Sequence, residues 1–464
     1  MNSAKLTTGL PPARRHSAPI TAGSEEDALE AFIYNRQRMH TLAAMFKRIL
    51  ILTGAALLGF GACLGALRMA GAWSLFPSRD LNRSSDYVRE VLQIVHENYV
   101  DPAASGYDAL ARLSIHGMVE SLDPHSQYME SKDNQELEED LDGEYGGIGI
   151  ELEMRRGTYT VTAPLAGSPG ERAGIRLGDE IASIDGRIVN GTVPMDAVVD
   201  RLRGKPHTHV RVGIHRPGDG SRFEVDLVRD VIKIESVRGA RIIDGAVGYI
   251  QIREFSDHTG EQFDDALNGL LKKGIDGLVI DLRNNPGGLL DAAVEVSEPF
   301  FRKGELIVYT QGRQAADREN YYSETEGDPL KMPVAILINQ DTASAAEIVT
   351  GALKDTGRAV IVGERSYGKG SVQSIFKLKN GEGLRLTTAH YFTPNGTMIN
   401  GKGVSPHVEV VLSPEDDRRL ERQISRPEVT DTADFMERFG FRPLEDRQLD
   451  AALDVLRAVR LFDK

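Results

Sequence analysis

Residues 339–373 read NQDTASAAEIVTGALKDTGRAVIVGERSYGKGSVQ. Ser344 stands among small residues at the head of an apolar helical pattern. Lys369 lies in a Ser-Tyr-Gly-Lys-Gly turn, with Gln373 four residues beyond it. The stretch contains no histidine, so a Ser-His-Asp arrangement has no local support. A serine hydroxyl is a weak nucleophile until a neighbouring group takes its proton. Lysine can do so only as the neutral amine, and its ordinary pKa is about 10.4; burial among apolar groups lowers that value. Gly368 and Gly370 permit close backbone approach, and no acidic residue lies between Lys369 and Gln373. The run GSVQSIFKL at 370–378 alternates like a strand, which predicts Lys369, Ser371 and Gln373 on one face. Gln373 would then orient the amine without adding a charge that holds it protonated. Each residue also has a plain structural reading. Ser344 and Glu347 fit the S-x-x-E capping box, and a lysine in a glycine turn is commonly a solvated surface charge.

Five further blocks stand around this stretch in order: HENYVD at 96–101, GMVESLDPHSQY at 117–128, GEYGGIGIELE at 143–153, DLRNNPGGLL at 281–290 and TTAHYFTPNGTMINGKGVSP at 387–406. Together with DTASAAEIVTGALKD and GERSYGKGSVQ they resemble the carboxyl-terminal processing peptidases. These are PDZ-containing serine proteases with a Ser/Lys/Gln site on a crotonase-like α/β core. The resemblance implies Ser344 as nucleophile, Lys369 as general base and Gln373 as its orienting partner. It also implies an oxyanion site from the N–H of Ala345 and the Gly-Gly turn, with Gly287 and Gly288 both open as the donor. It calls for no metal and no organic cofactor. Two positions depart from the common pattern: Pro406 is followed by His407 where relatives carry Asp, and Ala346 replaces a second serine. The first is expected to change only local structure; the second leaves Ser344 as the acting hydroxyl.

The 464-residue chain has a formal charge of −14 and is long enough for two or three domains with real cores. Residues 1–72 carry +4, leaving −18 on the rest, which gives the body no reason to bind nucleic acid. Residues 1–48 are expected to be a largely disordered cytosolic leader. Residues 49–67 form 19 uncharged residues, enough to span a bilayer. Arg36, Arg38, Lys47 and Arg48 precede them and place that end in the cytosol, with the remainder extracytoplasmic. This predicts a bacterial cell-envelope protein, periplasmic in its catalytic part. The AGA at 70–72 has the shape of a signal-peptidase site, so anchor and cleaved signal both remain open, the long leader favouring the anchor. The single Cys63 falls in this segment, so no intrachain disulfide is possible.

Residues 84–142 read as a helical region, with Val88, Val91, Leu92 and Val95 at helical spacing and a break at Asp123-Pro124. The resemblance gives this region a role in oligomer contacts. His96, His116 and His125 match no metal-binding spacing and read as structural. Residues 143–230 read as an inserted, β-rich PDZ domain. Its Gly147, Ile148, Gly149 and Ile150 stand where such domains cradle a peptide's C-terminal carboxylate. Residues 231–412 read as the catalytic α/β core, with buried strands at 245–252, 277–283, 334–339 and 359–364. Residues 413–464 form an extension whose helical run at 444–459 is expected to dock or to assist assembly. The whole predicts a serine endopeptidase that captures substrate C-termini, with PDZ occupancy or a regulatory adaptor gating the site. The competing reading is a catalytically inactive PDZ adaptor delivering proteins to other proteases.

Overall fold

The computed structural model describes residues 79–425, 429 and 431–462, so the expected leader and the apolar segment 49–67 lie outside the described residues. Among the described residues no helix is long and apolar enough to cross a membrane. The described residues up to Ala111 and those from Arg112 onward fall into two compact units. In the first, the helix Arg79–Asn98 carries the predicted valine stripe. In its last turn, His96 stacks on Tyr107 with ring centroids 4.0 Å apart, and its Nδ1 bonds the Ser105 carbonyl at 2.7 Å.

The second unit is built on a six-stranded sheet. Its order is Val237–Ile243, Val247–Ile252, Gly277–Asp281, Val334–Ile338, Val360–Gly363 and Val408–Glu409. Every neighbouring pair is parallel except the first. The two central strands are buried at every residue, as continuous apolar runs require when both faces of a parallel sheet are covered. Alternation divides their side chains between two cores. Ile250, Leu278, Ile280, Ile336, Ile338 and Ile361 pack with residues of the helices Thr259–Leu271, Leu290–Ser297 and Ala345–Asp355. Val247, Tyr249, Val279, Ala335, Leu337 and Val362 pack with Ala452, Leu453 and Leu456 of the C-terminal helix Arg447–Phe462. The C-terminal run thus docks, and it supplies the second cover that the sheet needs. Each such aliphatic side chain contributes about 1.5–3 kcal/mol by leaving water.

A buried cation marks the same junction. Arg283 donates to Asp281 at 2.6 Å, to Asp446 at 2.8 Å and to Gln448 at 3.1 Å. Tyr249 donates to the same Asp281 at 2.7 Å.

The inserted domain has a sheet of order Ile150–Arg155, Thr158–Pro164, Glu180–Ile184, His209–Arg216 and Ser221–Val228, with Arg187–Ile188 paired to the third strand. Tyr159, Val161, Ile181, Val198, Val212 and Ile214 form its core. Its two crossings to the rest of the chain pair with each other, Glu144–Gly147 antiparallel to Asp230–Lys233.

A second, five-stranded antiparallel sheet lies in the same unit: Gln127–Met129, Gly383–Phe392, Leu306–Gly312 and Arg318–Tyr322, with Ser371–Lys377 also paired to Gly383–Phe392. The region read as helical therefore contains a strand. Asp123 Oδ1 accepts the His125 and Ser126 N–H groups at 2.8 and 2.9 Å, which turns the chain after Pro124. It emerges extended, and pairing with Gly383, Leu384 and Arg385 buries Tyr128 and Met129.

Candidate active site

Two turns leave the carboxyl ends of adjacent parallel strands, where open α/β sheets place their ligand crevices. NNPGG at 284–288 follows Gly277–Asp281, and NQDTAS at 339–344 follows Val334–Ile338. Hydrogen bonds staple them together. Asn284 N–H donates to Asn339 Oδ1 at 2.9 Å, Asn339 Nδ2 to Asn284 Oδ1 at 2.7 Å, Thr342 Oγ1 to the Leu282 carbonyl at 2.8 Å, and Ala343 N–H to the Asn285 carbonyl at 2.9 Å.

Ser344 ends the second turn at φ 55°, ψ −120°, a strained conformation for a residue with a side chain. It is partly exposed while its neighbours Ala343, Ala345 and Ala346 are buried. Gly287 faces it so closely that a Cβ there would lie 2.5 Å from Ser344 Cβ and 2.8 Å from the Ala345 nitrogen. The Gly287 N–H is committed to Asn285 Oδ1 at 2.8 Å. Among the described residues, the N–H groups of Gly288 and Ala345 have no acceptor. Of the two glycines left open by sequence, Gly288 carries the unengaged donor.

Glu347, read from sequence only as a capping partner, is the hub of the site. It is fully buried. Its Oε2 accepts the Ser344 N–H at 3.0 Å and the Lys369 N–H at 2.8 Å; its Oε1 accepts the Gly368 N–H at 2.8 Å and the Ser366 hydroxyl. Burial raises its pKa, and these four donors oppose the rise. S-x-x-E spacing was the only sequence signal for Glu347, and it pointed to one of the four bonds.

Lys369 is half-buried. Burial is the largest cause holding its pKa below the ordinary lysine value; the Arg385 charge adds to this and Glu347 opposes it. The strand that follows starts at Ser371, so Lys369 lies ahead of it and strand alternation does not position it. Its loop is seated instead on the turn at 400–403: Gly401 N–H donates to the Gly368 carbonyl at 2.8 Å, and a Cβ at Gly370 would lie 2.3 Å from the Asn400 nitrogen. Ser371 and Gln373 do share a face. Gln373 Nε2 donates to Ser371 Oγ at 2.8 Å, to the Ser371 carbonyl at 3.2 Å and to Thr387 Oγ1 at 3.4 Å. Among the described residues no hydrogen bond joins Lys369 Nζ to Ser344 or to Gln373; such bonds often tighten only once substrate is bound.

His125, read as structural, lies within electrostatic reach of this lysine. Burial lowers its pKa most, and the charge on Lys369 lowers it further. Its place in the GMVESLDPHSQY block was the only sequence signal for that position. His407, which follows Pro406 where relatives carry Asp, accepts the Ile361 N–H on Nδ1 at 3.0 Å.

In the inserted domain, Gly147, Ile148, Gly149 and Ile150 line a groove of about 240 Å³ with Met195, Val199 and Leu202 of the helix Met195–Leu202. The Ile148 carbonyl accepts the Gly170 N–H at 2.8 Å, and the Gly149 carbonyl accepts the Ser168 hydroxyl at 2.9 Å. Those bonds face the two carbonyls away from the groove. The N–H groups of Ile148 and Gly149 have no acceptor among the described residues.

Fold and site together define a serine-type peptidase that carries a PDZ domain. The model of Peptidase family S41 matches residues 246–410, and a PDZ domain model matches residues 160–216. A carboxy-terminal-processing protease of Bartonella bacilliformis is 36% identical over 356 residues, 75% of this chain and 81% of that protein. A Staphylococcus aureus protein named "Probable CtpA-like serine protease" is 37% identical over 328 residues, 70% of this chain and 64% of its own length. A solved structure of a photosystem II D1 C-terminal processing protease aligns with TM-score 0.41 at 31% identity, covering 70% of this chain and 92% of that one. The chain belongs to the carboxy-terminal-processing protease family within peptidase family S41.

Proposed function

We propose that this chain is an extracytoplasmic endopeptidase using a Ser344/Lys369 dyad on a crotonase-like core, with Gln373 orienting the lysine and the PDZ groove capturing substrate C-termini. One observation carries the reading. A single Glu347 oxygen holds the backbone nitrogens of Ser344 and Lys369, which keeps them within roughly 6 Å of each other.

Neutral Lys369 Nζ takes the Ser344 hydroxyl proton as Oγ bonds the scissile carbonyl carbon, whose oxygen becomes the oxyanion. The N–H groups of Ala345 and of the Gly287/Gly288 turn stabilise that charge, Gly288 being the unengaged donor of the turn. The ammonium then protonates the leaving amine as the C–N bond breaks, leaving an acyl-enzyme. Water attacks next, losing its proton to Lys369, and Ser344 departs with a proton restored. The extracytoplasmic placement rests on the uncharged run 49–67 and the basic residues before it.

The test incubates the full chain, S344A and K369A with an unstructured protein ending in apolar residues, and with the same protein ending in charged ones. Wild type is expected to cleave the apolar-tailed protein faster, and each variant to lose about 10³-fold or more. Undiminished cleavage by K369A would remove the lysine from the mechanism. Tail binding without cleavage by wild type would favour an adaptor.

A further inference from the structure

Asp123 and Gln373 stand at opposite ends of one hydrogen-bonded chain. Gln373 Nε2 donates to Thr387 Oγ1 at 3.4 Å, and Thr387 Oγ1 donates to Asp123 Oδ1 at 3.2 Å. Asp123 is itself held: Oδ1 accepts the N–H groups of His125 and Ser126, and Oδ2 accepts the Ser126 hydroxyl at 2.6 Å. Ser126 Oγ in turn accepts the Thr387 N–H at 3.1 Å, clamping the threonine by backbone as well as side chain.

The chain has a direction. An ionised carboxylate only accepts, so the single Thr387 hydroxyl proton is spent on Asp123. Thr387 can then meet Gln373 only as an acceptor, and the glutamine must turn its NH2 toward it. The Ser371 carbonyl, also acceptor-only, asks for the same end of the amide at 3.2 Å. With Nε2 fixed on that side, the carbonyl Oε1 is the end left for an N–H donor, and the donor required is Lys369 Nζ. A flipped amide would aim its N–H at the lysine, opposing the ammonium and occupying the lone pair that the neutral amine needs as a base.

Resting on the proposed function, we infer that Thr387, held by Asp123, is a positioning residue for the reaction: it fixes the direction of the Gln373 amide so that its carbonyl receives the lysine amine. Both residues act on the reaction only through Gln373 in this reading. The loop 123–126 and the strand Ser371–Lys377, far apart in sequence, are thereby coupled.

The full-length chain is tested as T387V, T387S, D123A and Q373A, and as T387V and D123A each combined with Q373A. Initial rates give kcat and KM on an unstructured protein, and melting temperature is followed in parallel. T387V and D123A are each expected to lower kcat about 10- to 100-fold with KM unchanged, the cost of a misplaced catalytic group. T387S keeps the hydroxyl and is expected to stay within about twofold of wild type. In the Q373A background both substitutions are expected to add less than about twofold, because residues acting through one group are not additive. Wild-type kcat in T387V would overturn the inference. So would a full additional loss in the Q373A background, which would mean that the loop acts by another route such as His125. A fall in kcat that tracks melting temperature and is not restored by T387S would reduce the pair to structure. S344A or K369A cleaving like wild type would overturn the dyad itself, which separates that failure from this one.

Discussion

Glu347 accepts the backbone N–H of Lys369 at 2.8 Å on the same oxygen that accepts the N–H of Ser344. A carboxylate in the first turn of the helix Ala345–Asp355 is favoured by the helix dipole. Here it also joins the two segments that carry the proposed nucleophile and base. The four donors offset the desolvation of a fully buried charge.

Replacing Glu347 with Gln leaves one terminal oxygen to do the work of two. Each donor stranded in the interior costs about 1–3 kcal/mol, so the urea midpoint should fall markedly. Removing the negative charge also removes the influence that raises the Lys369 pKa. The acid limb of kcat/KM should therefore move to lower pH, beneath a reduced plateau. An unmoved limb would mean that Lys369 does not sense Glu347.

Arg385 gives the opposite sign. Its charge disfavours the Lys369 ammonium, so R385M should raise the lysine pKa and shift the acid limb of kcat/KM upward in pH. The pH–rate profile of the two proteins side by side checks this. A limb displaced downward would show that a different group titrates.

The two glycines of the 284–288 turn should fail differently. Gly287 has φ 98° and its missing Cβ faces Ser344 and Ala345, so G287A should disturb Ser344 before the fold. Gly288 has φ 140°, and a Cβ there would sit 2.0 Å from the Phe255 carbonyl oxygen, inside the core. G288A should lower the yield of folded protein, whereas G287A should fold and lose turnover. Circular dichroism and peptide hydrolysis on both variants distinguish these outcomes.

The PDZ groove can be tested apart from the chemistry. Val199 lines it without belonging to the buried core, so V199E should fold and weaken binding of an apolar-ended peptide by about tenfold or more, a buried unpaired charge being costly. Fluorescence anisotropy of a labelled peptide measures it. Unchanged affinity would put the tail elsewhere.

The C-terminal helix is held by a charge as well as by packing. D446A leaves the buried Arg283 with Asp281 as its remaining carboxylate, and the lost charged hydrogen bonds should cost about 1.5–3 kcal/mol in urea unfolding. The acid limb of the pH–rate profile should not move, because Asp446 is no part of the Lys369 environment.

Much of the architecture could be read directly. The runs at 277–283 and 334–339 announce buried parallel strands, because each opens on four or more consecutive apolar residues. The turns NNPGG and NQDTAS follow those strands within a few positions, so local order alone puts a glycine turn and a small-residue serine turn at one end of a sheet. The groove lining of Gly147, Ile148, Gly149 and Ile150 was legible because they are contiguous in the chain. What escaped the sequence was the meeting of distant segments. Alternation misplaced Lys369, because the 400–403 turn rather than a strand seats it. Glu347 looked like a helix cap, since the Lys369 loop that it also binds is joined to it only in space. His125 looked structural and Asp123 only marked a break in the helical run, yet Thr387 bonds Asp123 across 264 positions of chain. Such contacts carry no periodicity and no spacing. They exist because burying Tyr128 and Met129 against Gly383 and Leu384 is favourable, and that packing is decided only when the whole core closes.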